Sequence, residues 1–245
     1  MRYTAKAFDV SHYQPPSKVD YAAAKADGYG LVIINFTDGV TPDPAAREHY
    51  RLAKAAGLLI GAYHYVHSDP TAAQQVEAFR EATAGLTFDV KPWLDIEAPD
   101  VATRATRAYD MRCLPGSQFA RATIYINLND DQHCGHQKWM REHTLAQARY
   151  RAAGTAPPLS GAGVLPAWEH CYHQWTGNGK VRWYRGEIDL IVYDPDKVPW
   201  IVNVVPEPLL PTKGTRLAEI GKMVSDARKA LQAAEQAIEE LEDEL

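Results

Sequence analysis

The chain is poor in the features that assign a protein quickly. Cysteine occurs only 3 times in 245 residues, at Cys113, Cys134 and Cys171. An odd number without framework spacing points to reduced thiols and synthesis in the cytoplasm, not to a disulfide scaffold. No apolar run approaches the ~20 residues that a membrane-spanning helix needs. The opening Met1-Arg2-Tyr3-Thr4-Ala5-Lys6 lacks an apolar export core, so no signal peptide is expected, and a target outside the cell would require a separate exit route. Neither sign of charge is in large excess: 26 Lys+Arg against 31 Asp+Glu leave −5. That balance implies no general attraction to nucleic acid or to an anionic membrane. No Gly-x-Gly-x-x-Gly or phosphate-loop pattern follows the first strand, so no nucleotide site and no cofactor are expected.

What is present is a hydrophobic fraction of 46%, normal for a large core, in a chain long enough for one barrel-sized domain or two smaller ones. Strand and helix patterns alternate through the first half. Tyr3 to Val10, Leu31 to Phe36 and Leu58 to Tyr65 read as strands. Asp20 to Asp27, Ala45 to Ala56 and Thr71 to Ala84 read as helices, the first two stopped by Gly28 and Gly57. Near-continuous apolar strands between helices are the mark of a parallel sheet covered on both faces. Asp9, Asp38, His64, Asp95 and Glu97 fall at or just past successive strand ends. In a closed (β/α) barrel those ends share one mouth; an open doubly wound sheet would gather some of them at its carboxyl edge. Farther along, Ala122 to Leu128 reads as a strand with Tyr125 and Asn127 on one face. Trp139 to Ala153 reads as a helix, Ala162 to Gln174 as two short strands, and Gly186 to Tyr193 as a final strand interrupted by Asp189. A charge buried there without a partner is costly, so Asp189 should face the mouth or pair.

The segment Lys91-Pro92-Trp93-Leu94-Asp95-Ile96-Glu97-Ala98-Pro99 is a short strand bounded by prolines. Alternation puts Trp93, Asp95 and Glu97 on one face and Leu94 and Ile96 on the other. Two acids at i and i+2 lie roughly 6 to 7 Å apart at Cα, close enough to perturb each other's proton affinity. That suits a general acid with a helping carboxylate beside a sugar-binding indole. The alternative is a strand end whose acids face water.

Beyond Val204 the composition changes. Residues 206–214, with Pro206, Pro208 and Pro211, read as a stiff linker after a domain spanning 1–205. Residues 215–245 then read as one helix. Leu217, Ile220, Val224, Ala227, Leu231, Ala234, Ile238, Leu241 and Leu245 recur with 3,4 spacing, a narrow seam that fits a coiled coil and homo-oligomerisation through 217–245.

Four stretches, taken together, resemble the family 25 glycoside hydrolases: Asp9-Val10-Ser11-His12-Tyr13-Gln14, Gly61-Ala62-Tyr63-His64-Tyr65, Leu94-Asp95-Ile96-Glu97 and Gly186-x-Ile188-Asp189-Leu190. The resemblance covers roughly residues 4 to 204. It implies an irregular (β/α) TIM-like barrel and lysozyme activity on the N-acetylmuramic acid to N-acetylglucosamine β-1,4 bond of peptidoglycan, in enzymes that are often phage-borne. It also implies Glu97 as general acid, Asp95 as the group that orients the N-acetyl substituent or balances positive charge, and Asp9 and Asp189 as the remaining acids. Gln14, His64, Tyr65, Trp93, Tyr125, Asn127 and Trp175 are the candidate sugar contacts, with His12 and His64 as partners of the carboxylates. Two departures bear on the groove. The family's Lys-x-Thr-Glu-Gly stands here as Asn35-Phe36-Thr37-Asp38-Gly39, and its Trp-Gln-Tyr as His173-Gln174-Trp175. Two other readings remain open. One is a zinc site from Cys134, His136, Cys171 and His173, at a spacing unlike common zinc modules. The other is a non-catalytic wall-binding or phage-particle module on the same barrel.

Overall fold

The computed structural model describes residues 3–97, 99–133, 138–150 and 170–201. The linker at 206–214, the coiled-coil expectation for 215–245, the strand expectation at 162–169 and the residues Cys134 and His136 lie outside the described residues.

The first half follows the strand and helix pattern read from sequence. β1 (Ala5–Val10) leads to α1 (Tyr21–Ala26), whose start is fixed by the Asp20 carboxylate accepting from Ala23 N–H at 2.9 Å. Gly28 then takes a left-handed φ of 85° to turn the chain into β2 (Tyr29–Asp38). A two-residue β3 (Thr41–Pro42) folds back on β2 and precedes α2 (Ala46–Ala55), β4 (Leu59–Tyr65) and α3 (Ala72–Ala82). Thr71 opens α3 with a full capping box to Gln74. The central strand β5 is short, Trp93–Asp95, and Glu97 lies two residues past it.

From there the structure departs from the expectations. α4 (Val101–Cys113), unforeseen in the sequence, starts after Asp100, which adopts φ 60° to redirect the chain away from β5. Left-handed backbone of this kind is uncommon outside glycine but tolerated by Asp. β6 (Thr123–Asn127) and α5 (Leu128–His133) follow. The helix expected over Trp139–Ala153 is not formed in 139–150. A 3-10 turn at Lys138–Glu142 is followed by β7 (Leu145–Ala148), all four residues of which are buried. Burial on both faces erases the alternation that would have signalled a strand. β8 (His170–Val181) and β9 (Tyr184–Tyr193) close the set as a hairpin.

The sheet order β1-β9-β8-β7-β6-β5-β4-β2 is closed by a β1–β2 pairing, giving an eight-stranded barrel with β3 as an appendage. Neighbours are parallel except around β9, which runs antiparallel to both β8 and β1. Side chains sort by the two-residue period. Val32, Ile34, Ile60, Leu94, Ile96, Ile124 and Ile126 form a core between barrel and helices, whereas Leu31, Ile33, Trp93, Tyr125, Tyr172 and Ile191 fill the interior. The interior packing is tight at Gly61, where a Cβ would come within 2.5 Å of the Ile33 side chain. Above this filling, toward the strand ends where the acids lie, the barrel opens into a cavity.

Candidate active site

The mouth holds a cavity of about 390 Å³ lined by Asp9, Asp95, Glu97 and Asp189 together with Gln14, Tyr65, Trp93 and Tyr125. The barrel register explains the meeting. Asp9 on β1 and Asp189 on β9 are directly opposed across an antiparallel pair, where Cβ atoms lie about 5 Å apart. Asp95 on β5 stands level with Tyr65 on β4 and Tyr125 on β6.

Like charges so placed in a partly dry site cannot all ionise near neutrality. Burial, then the charge of Asp189, raises the Asp9 carboxyl well above its ordinary value, and the Gln174 amide opposes the rise. Burial and the Glu97 charge likewise raise Asp95, with Arg104 opposing. Asp189 is pushed up to about 7, by burial first and by Glu97 second. Glu97 is raised by burial and then by the charge of Asp130. All four carboxyls are thus shifted toward keeping their protons, the direction a general acid requires.

Four residues that the sequence reading passed over organise this cluster. Gln174, 5% exposed, donates Nε2–H to Asp9 Oδ2 at 3.0 Å. Its Oε1 accepts from the Tyr125 hydroxyl at 2.5 Å and the Tyr150 hydroxyl at 3.1 Å. Tyr150 overhangs the mouth at 59% exposure, and β8 lets it approach because a Cβ on Gly177 would stand 3.1 Å from both its ring and Asp189 Oδ1. Arg104, on α4 and 6% exposed, stacks over the Tyr65 ring at 4.9 Å and is the cation facing Asp95 and Glu97. Asp130, on α5, is held by Asn127, whose Nδ2 donates to it at 2.6 Å while its Oδ1 accepts the Asp130 N–H at 2.9 Å. Gln174 carried a faint signal, standing in the motif His173-Gln174-Trp175, whereas Tyr150 fell inside the helix expected over Trp139–Ala153 and carried none. Arg104 and Asp130 sit on helices with no local mark.

The candidate sugar contacts divide. Gln14, Tyr65, Trp93 and Tyr125 line the cavity. Trp93 is only 2% exposed and packs at 4.7 Å on Tyr172, so it forms the floor; Tyr13, 77% exposed on the rim, presents more ring to solvent. His64 does not line the cavity. It faces outward against Phe79 and Phe119. Gln75 donates its Nε2–H to His67 O and Pro70 O at 3.0 Å, which turns its Oε1 toward His64 Nε2, also at 3.0 Å. Nε2 thus carries the proton, Nδ1 accepts from the Thr37 hydroxyl at 2.7 Å, and burial pushes the imidazole down to about 4. The reason is the strand period: with Tyr63 and Tyr65 facing in, the residue between faces out. By the same rule Gln174 faces in and Trp175 packs on the outer core. Asn127 borders a neighbouring cavity. His12 pairs with Asp43 at 3.0 Å, not with the acid cluster. Of the four residues of the zinc alternative, Cys171 Sγ lies 3.6 Å from Asp194 O and His173 Nε2 lies 3.0 Å from Arg149 O, and no group of three metal-ligating side chains occurs among the described residues.

An eight-stranded barrel with one reversed strand and a carboxylate-lined, sugar-sized mouth is the layout of a glycoside hydrolase. The chain belongs to the glycosyl hydrolases family 25, whose model matches residues 8–182. It is 38% identical over 94 residues to an autolytic lysozyme of Clostridium acetobutylicum, and 32% identical over 87 residues to an N,O-diacetylmuramidase of Arthroderma benhamiae. These stretches are 38% and 35% of this chain but only 28% and 36% of the two relatives. Among solved structures, a family GH25 lysozyme from Aspergillus fumigatus superposes with a TM-score of 0.61 at 25% identity, over 78% of this chain and 93% of that one. A muramidase from Trichobolus zukalii gives 0.58 at 25%, over 78% and 94%.

Proposed function

We propose that the chain is a muramidase that hydrolyses the β-1,4 bond from N-acetylmuramic acid to N-acetylglucosamine in peptidoglycan, acting at the bacterial wall in the manner of a phage-type lysozyme. The observation that carries this reading is the convergence of Asp9, Asp95, Glu97 and Asp189 on one cavity. Glu97, whose hold on its proton is strengthened by burial and by the charge of Asp130, gives that proton to the bridging oxygen as the bond from that oxygen to the anomeric carbon breaks. The positive charge developing on the ring faces Asp9, Asp95 and Asp189, and the negative charge that this cluster retains favours it electrostatically. Asp95 Oδ1 is buried without a hydrogen-bond partner, and the N–H of a 2-acetamido group is a donor of the kind it lacks. Held there, the acetamido oxygen attacks the anomeric carbon. Water then opens the resulting ring, delivering its proton to the Glu97 carboxylate and its hydroxyl to the sugar, with net retention. Gln174, Tyr125 and Tyr150 hold Asp9 in place, and Arg104 limits how far the cluster is protonated.

The test is release of reducing ends from purified peptidoglycan. Glu97→Gln should lower kcat by about 100-fold or more, the usual contribution of a positioned acid, and Asp95→Asn should cause a smaller loss. If wild type and Glu97→Gln are equally inert yet both pellet with cell walls, the barrel is a binding module and the catalytic reading fails.

A further inference from the structure

A second cavity, about 610 Å³, adjoins the first, and Glu97 and Tyr150 line both. It is also lined by Arg149, just past β7, and by Asn127, Asn129 and Ala148. The Arg149 backbone is anchored at both ends: its N–H donates to Gln174 O at 3.0 Å, and its carbonyl lies 3.0 Å from His173 Nε2. Its exposed guanidinium, by contrast, has no hydrogen bond or ion pair among the described residues. Nor is it the cation acting on Glu97, a part taken by Arg104. An unpaired planar cation on a fixed backbone, lining a cavity whose other charged residue is Glu97, is arranged to take a carboxylate in bidentate fashion.

We propose that this cavity receives the leaving side of the glycan and that Arg149 binds a carboxylate carried there, which makes it a specificity-determining residue. The inference rests on the hydrolase reading. A proton donor must face the bridging oxygen, so the two sugars joined by that oxygen lie on opposite sides of Glu97. The ring that gains positive charge, a muramyl residue, belongs with Asp9, Asp95 and Asp189 in the first cavity; the N-acetylglucosamine joined to it then enters the second beside Glu97, and the muramyl residue that follows brings its carboxylate to Arg149. Along peptidoglycan a carboxylate is supplied either by the lactyl group of a muramyl residue or by the peptide attached to it.

The experiment compares wild type, Arg149→Gln and Arg149→Lys on three substrates: intact peptidoglycan, the glycan after amidase removal of peptides, and that stripped glycan with its carboxyls coupled to methylamine. Arg149→Gln should raise KM about tenfold or more on a carboxylate-bearing glycan, the scale of one lost charge-assisted contact. It should leave kcat and the pH profile nearly unchanged and have no effect on the methylamide. Arg149→Lys should recover part of the loss. A loss on stripped glycan assigns the lactyl carboxyl, and a loss confined to intact wall assigns the peptide. Equal KM values for wild type and Arg149→Gln on all three, or an equal rise on the methylamide, overturn the proposal while leaving the hydrolase reading intact. A wild type inert on every substrate defeats the hydrolase reading and this inference with it.

Discussion

Replacing Asp189 by Asn should make the fold more stable at pH 8 and leave it nearly unchanged at pH 4. The native Asp189 carboxyl is pushed up to about 7 from an ordinary 3.8, by burial first and the Glu97 charge second. A carboxyl raised on folding supports the fold while protonated. That contribution is complete below its unfolded value and is lost as pH climbs through about 7. At about 1.4 kcal/mol per tenfold change in proton affinity, the interval from 3.8 to 7 amounts to about 4 kcal/mol. Asp9 stands directly opposite on β1 and shares the strain, so ~2–4 kcal/mol should return when the charge is removed. His64, pushed down to about 4, works in the reverse sense: the fold loses its contribution as pH falls below the ordinary imidazole range. It is common to both proteins and cancels in the difference. Urea unfolding followed by tryptophan fluorescence at the two pH values gives the numbers, with reducing-end release measured alongside. Gained stability with lost activity is the expected trade. A variant no more stable than wild type at pH 8, or stabilised equally at pH 4, would refute the argument that this carboxyl is held against its ionisation.

Two other substitutions probe the residues behind the acids. Asp130→Asn removes a charge that raises Glu97. Activity is lost as pH rises through the Glu97 value, so the alkaline limb of the kcat profile should move to lower pH; an unmoved limb or a shift upward would exclude Asp130 as a tuning group. Gln174→Leu takes away the donor to Asp9 and the acceptor of the Tyr125 hydroxyl. It should cost about 2–4 kcal/mol, since a buried hydroxyl and a carboxylate oxygen lose their partners. A urea-unfolding loss under ~1 kcal/mol would show that water replaces the amide.

The first half of the barrel was readable because its signals are local. Asp20 and Thr71 cap helices and Gly28 and Gly57 end them, while the apolar run Leu31–Phe36 needs no partner to be recognised as a buried strand. The acids were readable because carboxylates at strand ends are unusual in a core. What escaped was set by contacts distant in sequence. β7 has the composition of a helix, and only burial between β6 and β8 makes it a strand. Arg104 matters because α4 carries it over Tyr65, and Asp130 because Asn127 turns it toward the site. The misplacement of His64 was avoidable: Tyr65 and His64 are adjacent in one strand and cannot both face the mouth. The same parity separates Trp175 from Gln174.

The reversed strand β9 makes the two ends of the described barrel neighbours, and the ring is sealed along the line where Asp9 meets Asp189. Nothing local holds those two acids together, because most of the chain lies between them. Until that pair of strands zips, a folding molecule lacks the complete cluster of acids at its mouth, and long-range pairing of this kind is slow. Hydrolytic competence should therefore appear with the final phase of refolding, well after the helices regain their circular dichroism. The seam is also the part of the wall where mutual repulsion grows as protons leave, so alkaline conditions should unbutton the cylinder there first.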